Sequence, residues 1–221
     1  MPAAGQGVRL LAGMPKAFVP LRGRPLLWHC VQRLLASGCI EVVVVAVGEQ
    51  HQDQARIAVA EAGDQVRIVI GGAHRCDSVR AALHTVPDAE VVLVHDAARC
   101  LAPVSVIQAV AQAVLAGHQA VVPVLTVVDT IKEVDSDGCV VGTLDRAALR
   151  VVQTPQGFAG NLLRRAHQLP SGPVTDDAGL VEALGMPVTT VPGHPHAFKI
   201  TTPFDLVVAE LLAGGKAAGP G

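Results

Sequence analysis

The chain reads as an α/β protein of the Rossmann-like, doubly wound type, with a mostly parallel sheet and a projecting β-arm. Three observations predict this. Short, nearly continuous apolar runs such as Glu41-Val-Val-Val-Val-Ala-Val47 and Val91-Val-Leu-Val94 are the mark of strands buried on both faces. Segments with apolar residues at helical spacing alternate with those runs. Polar or glycine-rich turns follow the strand ends, where open α/β sheets bind their ligands.

The first sixteen residues combine Gly5, Gly7 and Gly13 with Arg9 and Lys16. Glycines let a backbone approach a ligand closely, and exposed amides with two cations make an anion cradle. A flexible terminal tail is the competing reading of the same stretch. Leu26, Leu27, Cys30, Val31, Leu34 and Leu35 then predict a helix, ended by Ser37-Gly38. The strand at 41–47 follows, then a helix over 53–62 and a strand at Val66–Ile70. Gly71-Gly72 breaks the chain before a helix from Arg75 to about Leu83. The strand Val91–Val94 runs into His95-Asp-Ala-Ala-Arg99, followed by a helix over Val104–Leu115 and a strand at Ala120–Val124.

Residues 125–153 depart from this rhythm. β-prone residues flank Asp137-Gly138, a hairpin signal, so this stretch is expected to project as an arm whose apolar face pairs with another subunit. Helices are expected at Gly160–Gln168 and, behind the Thr175-Asp-Asp cap, up to Leu184. A strand at Pro187–Val191, the segment Phe198–Thr201 and a helix at Phe204–Leu212 capped by Thr202-Pro203 complete the pattern.

Composition excludes several functions. Of the 221 residues, 50% are hydrophobic and 16% charged, enough for a core and too apolar for a disordered segment. Aromatics make up 2%, without a single Tyr, and the formal net charge is −2; neither a base-stacking surface nor a basic footprint for nucleic acid or membrane is present. The five cysteines are scattered with no CxxC pair, which argues against a zinc site or a disulfide framework and for reduced thiols in the cytoplasm. No apolar run reaches the roughly 18 residues of a spanning helix. The nine histidines show no metal-ligand pair on one helical face, and the serine-hydrolase, zinc-protease and Walker motifs are missing. Asp96, just past a buried strand, suits a Mg²⁺ ion shared with substrate phosphates.

Taken in order, Pro2-Ala-Ala-Gly-Gln-Gly-Val-Arg9 with Pro15-Lys16, Gly71-Gly72, Arg75-Cys-Asp-Ser78, His95-Asp-Ala-Ala-Arg99, Asp129-Thr-Ile-Lys132, Thr154-Pro-Gln156 and Thr175-Asp-Asp-Ala178 closely resemble the 2-C-methyl-D-erythritol 4-phosphate cytidylyltransferase family. The resemblance runs from Pro2 to about Leu212, which implies one nucleotidyltransferase domain over 1–213 and a disordered tail at 214–221. It implies transfer of CMP from CTP to methylerythritol phosphate in non-mevalonate isoprenoid synthesis, with Mg²⁺ or another divalent cation, by a cytoplasmic homodimer joined through the arm. By matching positions, Arg9 and Lys16 would stabilise charge on the triphosphate. Ala3, Ala4, Gly5, Gly72, Ser78, Asp96 and Ala97 would hold CTP, with Asp96 on the metal. Arg99, Thr130, Arg146, Thr154 and Lys199 would bind methylerythritol phosphate, Arg146 and Lys199 with catalytic roles. An attacking group that is already a phosphate anion needs no protein nucleophile, so positioning and charge neutralisation suffice.

Two departures qualify the match. Relatives have an apolar strand leading into P-A-A-G, whereas here Met1 stands where it should end; either the chain is incomplete at its start or the fold is compromised. The Gly193–Ala197 stretch carries His194 and His196 where relatives often have an acid, which weakens the case for a second metal-linked carboxylate. Competing readings are a cytidylyltransferase for another polyol phosphate such as ribitol 5-phosphate, and a truncated, non-catalytic nucleotide-binding remnant.

Overall fold

The computed structural model describes residues 1–5, 10, 13–168 and 175–215. Pro20–Leu21 (β1) and Arg24–Pro25 (β2) form a tight hairpin that the sequence pattern does not announce. Its turn residues Arg22 and Gly23 both have positive φ, 51° and 76°, the geometry that matches strand twist. The expected alternation follows: α1 (Leu26–Ala36), β3 (Val43–Val47), α2 (Gln52–Ala58), β4 (Val66–Ile70), α3 (Arg75–His84), β5 (Val91–Val94), α4 (Val104–Leu115) and β6 (Ala120–Thr126). The helix expected to reach Ala62 stops at Ala58, and Gly63, at φ 54°, redirects the chain toward β4.

The arm is shorter than expected. Ile131–Val134 (β7) and Val140–Leu144 (β8) form the projecting hairpin, with Gly138 at φ 82° in the turn. Arg150–Val152 (β9) pairs antiparallel with the end of β6, so both ends of the 125–153 stretch belong to the main sheet. The larger surprise is Gln156–Ala159 (β10), which lies between β5 and β6 and runs antiparallel to both. With two polar or glycine positions in four, it carries no strand signature. Its glycine is required by packing: a Cβ at Gly157 would sit 2.6 Å from Val110 of α4.

The chain closes with α5 (Gly160–Ala166), α6 (Asp177–Ala183), β11 (Thr189–Pro192) and α7 (Pro203–Gly214). Strand order in the main sheet is β11–β6–β10–β5, with β11 parallel to β6. Thr202 and Asp205 cap α7 reciprocally. That helix runs through Gly214, one residue into the expected tail, because its backbone still closes the last turn; Gly215 N donates to Leu211 O. Residues 216–221 lie outside the described residues. Among the described residues no helix is long and apolar enough to cross a membrane.

The sheet has two parts. β3 pairs in parallel with β4 and, on its other edge, among the described residues only with the short Met1–Ala3 stretch: Met1 N donates to Val44 O, Ala46 N to Met1 O, and Ala3 N to Ala46 O. Among the described residues β5 pairs only with β10. Between β3 and β5 lies a slot of about 530 Å³, lined by apolar side chains including Leu34, Val44, Val79, Leu83, Leu93 and Leu115. His95 also lines it, and its buried Nε2 has no hydrogen-bond partner among the described residues. Helices hold the two parts together. One buried cluster joins α1, β3 and α7 with Ile107 of α4; a second joins Val79 and Leu83 of α3 with β5, β10, α5 and α6.

A strand-wide apolar slot between the edge of β5 and the β3 edge that Met1–Ala3 covers only in part fits an extended peptide. Fusing a five-residue apolar, β-branched segment ahead of Met1 is expected to fill it. Side-chain burial at about 1.5–3 kcal/mol per residue, set against about 1–2 kcal/mol of ordering entropy, leaves a gain of several kcal/mol. At about 2–4 °C per kcal/mol the melting temperature should rise by roughly 10 °C. A Gly-Ser segment of equal length should give no rise; equal melting temperatures for the two fusions would exclude strand uptake.

Candidate active site

A cavity of about 360 Å³ opens at the carboxyl ends of β4 and β5. Pro2–Gly5 and Lys16 form one wall, the turn from Gly72 to Arg75 with Ser78 another, and Asp96–Ala98 the floor, with Lys199 closing the side. Three cations therefore share one pocket with a single carboxylate of the floor.

The Gly-Gly turn is built by α3. Gly72 N donates to Ser78 Oγ at 3.2 Å, and that hydroxyl donates on to His74 O at 3.3 Å. His74 and Asp77 cap the helix reciprocally. A Cβ on Gly71 would lie 2.7 Å from Ser78 Oγ, and one on Gly72 would lie 2.2 Å from Asp77 Cβ. Close helix packing thus demands both glycines, and Ser78, 1% exposed, serves the turn as well as lining the cavity.

Asp96 is the electrostatic centre. Its Oδ2 accepts from Lys199 Nζ at 2.7 Å and its Oδ1 from Arg75 Nε at 3.4 Å. Burial alone would push its pKa up, but Arg75 and Lys199 overcome that and hold it at about 2, so the carboxylate is ionised at neutral pH. Its backbone is pinned by Thr154: Asp96 N donates to Thr154 Oγ1 at 3.0 Å, and the same hydroxyl bonds His95 Nδ1 at 2.8 Å. Burial lowers His95 to about 4, which leaves it neutral and excludes it as a cation at neutral pH.

The candidate residues divide accordingly. Ala3, Ala4, Gly5, Lys16, Gly72, Ser78, Asp96, Ala97 and Lys199 come together around the cavity. Arg9 lies outside the described residues. Arg99 and Thr154 stand behind the floor rather than in it. Arg99 Nη1 donates to Ala197 O at 2.8 Å and Nη2 to Val152 O at 3.4 Å, while Thr154 is committed to the β5 turn. Thr130 and Arg146 are exposed on the arm, where Arg146 donates to Val128 O, and neither lines the cavity. His194 and His196 stack edge to face at 4.7 Å, with the His194 backbone held by Gln153 through N–H···Oε1 at 3.0 Å and Nε2–H···O at 2.9 Å.

Arg75, to which the motif assigns no role, is the third cation of the cavity. Its position just past a Gly-Gly turn and at the first residue of a helix was the available signal. Among the described residues no group of three or more His, Cys, Asp or Glu side chains could hold a metal ion. Asp96 alone fits the magnesium pattern of one carboxylate supplemented by substrate phosphates.

Comparison with known proteins agrees with the geometry. The family model for IspD, 2-C-methyl-D-erythritol 4-phosphate cytidylyltransferase, matches residues 1–214. The chain is 54% identical over 218 residues to the enzyme of that name from Nocardia farcinica, covering 99% of this chain and 94% of the relative. It is 55% identical over 216 residues to that from Saccharopolyspora erythraea, covering 96% of each. Among solved structures, 4-diphosphocytidyl-2C-methyl-D-erythritol synthase from Anaerococcus prevotii superposes with a TM-score of 0.85 at 25% identity, covering 97% of this chain and 94% of that one. The Thermus thermophilus cytidylyltransferase gives 0.76 at 38% identity, covering 96% of each. With a glycine-walled, cation-lined cavity at the strand ends and these matches over almost its whole length, the chain belongs to the 2-C-methyl-D-erythritol 4-phosphate cytidylyltransferase family.

Proposed function

We propose that the protein transfers CMP from CTP to 2-C-methyl-D-erythritol 4-phosphate and releases pyrophosphate. The observation that carries this reading is the cavity itself: Lys16, Arg75 and Lys199 around one ionised carboxylate, beside a glycine turn open to a nucleotide, in a chain of this family. In the reaction a phosphate oxygen of the acceptor attacks the α-phosphorus and forms a new P–O bond. The bond between the α-phosphorus and the bridging oxygen breaks, and pyrophosphate leaves with the electron pair.

Charge on the α-phosphoryl oxygens and on the leaving group grows along this path, so Lys16 and Arg9 act as its stabilisers. Lys199 holds the acceptor phosphate. Its ammonium is paired with Asp96, and an incoming anion would replace that partner. Asp96, released from Lys199, would hold a divalent cation together with the triphosphate, and the cation would supply neutralisation of phosphate charge. Ala3, Ala4, Gly5, Gly72, Ser78 and Ala97 shape the nucleotide side of the cavity. Arg99 and Thr154 brace the floor under the acceptor.

Arg146 and Thr130 reach an acceptor only when the arm of a second copy folds over the site, and we infer a homodimer for that reason, in the cytoplasm on the ground of its thiols. The arm supports it: Val128, Val134, Val140, Val141 and Leu144 are all exposed apolar residues, and Val151 of β9 extends the row. The five cysteines are all free thiols, as a reducing compartment requires.

Pyrophosphate release should require CTP, methylerythritol phosphate and a divalent cation; a rate as high with ribitol 5-phosphate in its place would overturn the acceptor assignment. Lys16→Ala should lower kcat about 10²- to 10³-fold, the usual loss for one charge-stabilising donor, while the melting temperature stays within a few degrees. Asp96 titrates at about 2 when folded against an ordinary 3.8, so its contribution is complete above about pH 4 and is lost as pH falls toward 2. Asp96→Asn should therefore flatten the stability curve across that window by about 2 kcal/mol, measured by denaturant titration.

A further inference from the structure

A buried charge relay that the reaction scheme leaves unused runs from the core to the cavity. Asp177, the first residue of α6, is fully buried, and His167, whose Nε2 donates to Asp177 Oδ1 at 2.9 Å, is buried beside it. The other oxygen, Oδ2, lies 2.6 Å from Arg75 Nη1 as an ion pair. Arg75 in turn reaches Asp96 through Nε and lines the cavity. One guanidinium thus spans two carboxylates, one in the core and one on the floor of the pocket.

The core carboxylate is the immobile end. Asp176 caps α6 by accepting from Gly179 N at 3.0 Å, and Gln156 Nε2 donates to Asp176 Oδ2 at 2.7 Å. Ala178 N donates to Gln156 Oε1 at 3.2 Å, so the first turn of α6 is clamped to β10. Burial would raise the Asp177 pKa, yet His167 and Arg75 bring it below the ordinary value, and it stays ionised at neutral pH. An isolated buried carboxylate costs several kcal/mol and would be neutral; this one is kept charged by a cation whose other edge faces the site. A pair serving stability alone would have no need of a guanidinium at the cavity wall, 27% exposed.

We propose that Asp177, braced by His167, is a positioning residue that aims the Arg75 guanidinium at the phosphates of the bound nucleotide. This rests on the CTP reading above. Two fork edges of Arg75 are tethered, by Nη1 to Asp177 and by Nε to Asp96, and Nη2 is left outside both pairs for a ligand. A lysine would keep the charge and lose that orientation.

The test is calorimetric titration with CTP and Mg²⁺, together with steady-state kinetics, on the wild type, Asp177→Asn, Arg75→Gln and the double variant. Asp177→Asn and Arg75→Gln should each weaken CTP binding about tenfold and raise its KM, with KM for the acceptor nearly unchanged. The double variant should be no worse than Arg75→Gln alone, because Asp177 acts only through Arg75. His167→Gln, which keeps an N–H for Asp177, should bind CTP more tightly than His167→Ala. Unchanged CTP affinity in Asp177→Asn, or losses that add in the double variant, overturns the proposal while leaving the CTP reading intact; no CTP binding by the wild type overturns both. If Asp177→Asn does not fold, Arg75→Lys decides on the intact relay: a tenfold loss of CTP affinity supports positioning, and wild-type affinity overturns it.

Discussion

The Asp96 carboxylate ties together more of this molecule than any other single group. It stands at the end of β5, held by Arg75 from the first turn of α3 and by Lys199 from the segment before α7. Its backbone is fixed by Thr154, which arrives from the far side of the arm. Residues 75, 96, 154 and 199 are far apart in sequence, and two direct ion pairs and one hydroxyl bring them to one place. Removing water from a carboxylate is costly, so the cations must be present together for the floor of the cavity to form. Packing then positions the site, and charge decides which side chains face it.

The sheet has a different logic. Its two parts, β3–β4 and β5–β10–β6–β11, do not hydrogen-bond to each other, and the helices that cover them do the joining. α3 is the element shared most directly: its buried face, Val79 and Leu83, belongs to the core beneath β5 and β10, while its first turn carries Arg75 and Ser78 into the cavity. The Met1–Ala3 stretch lies along β3 and leads straight into the cavity wall at Ala4 and Gly5. Three residues of backbone thus connect the edge of the slot to the wall of the cavity.

Most helices and the strands β3 to β6 were legible from periodicity, because β-branched runs and helical apolar spacing are local properties. β4, β5 and α4 fall where the pattern puts them. β10 was hidden because a four-residue strand containing Gln and Gly owes its place to Val110 and Val114 packing on Gly157, a contact no local pattern records. The arm was found by its hairpin turn but drawn too long, since Arg150–Val152 looks like an isolated β-prone run until β6 offers it an edge. Within the site, the cavity-lining glycines, Lys16, Asp96 and Lys199 were named from motifs. Arg75, Asp177 and His167 were not given roles, because a buried ion pair across about a hundred residues is invisible until α6 is docked on β10.

The α/β class, the order of most elements, the motif residues that line the cavity and the family can all be read along the chain. Those depend on side-chain identity and short spacing. Only the tertiary structure decided that β10 runs backwards between β5 and β6, that Thr154 and Arg99 brace the floor instead of lining it, and that Arg146 and Thr130 stand away from the cavity on the arm. Each of these turns on which distant surfaces meet. That outcome is set by burial and charge pairing over the whole fold, which no single stretch of the chain contains.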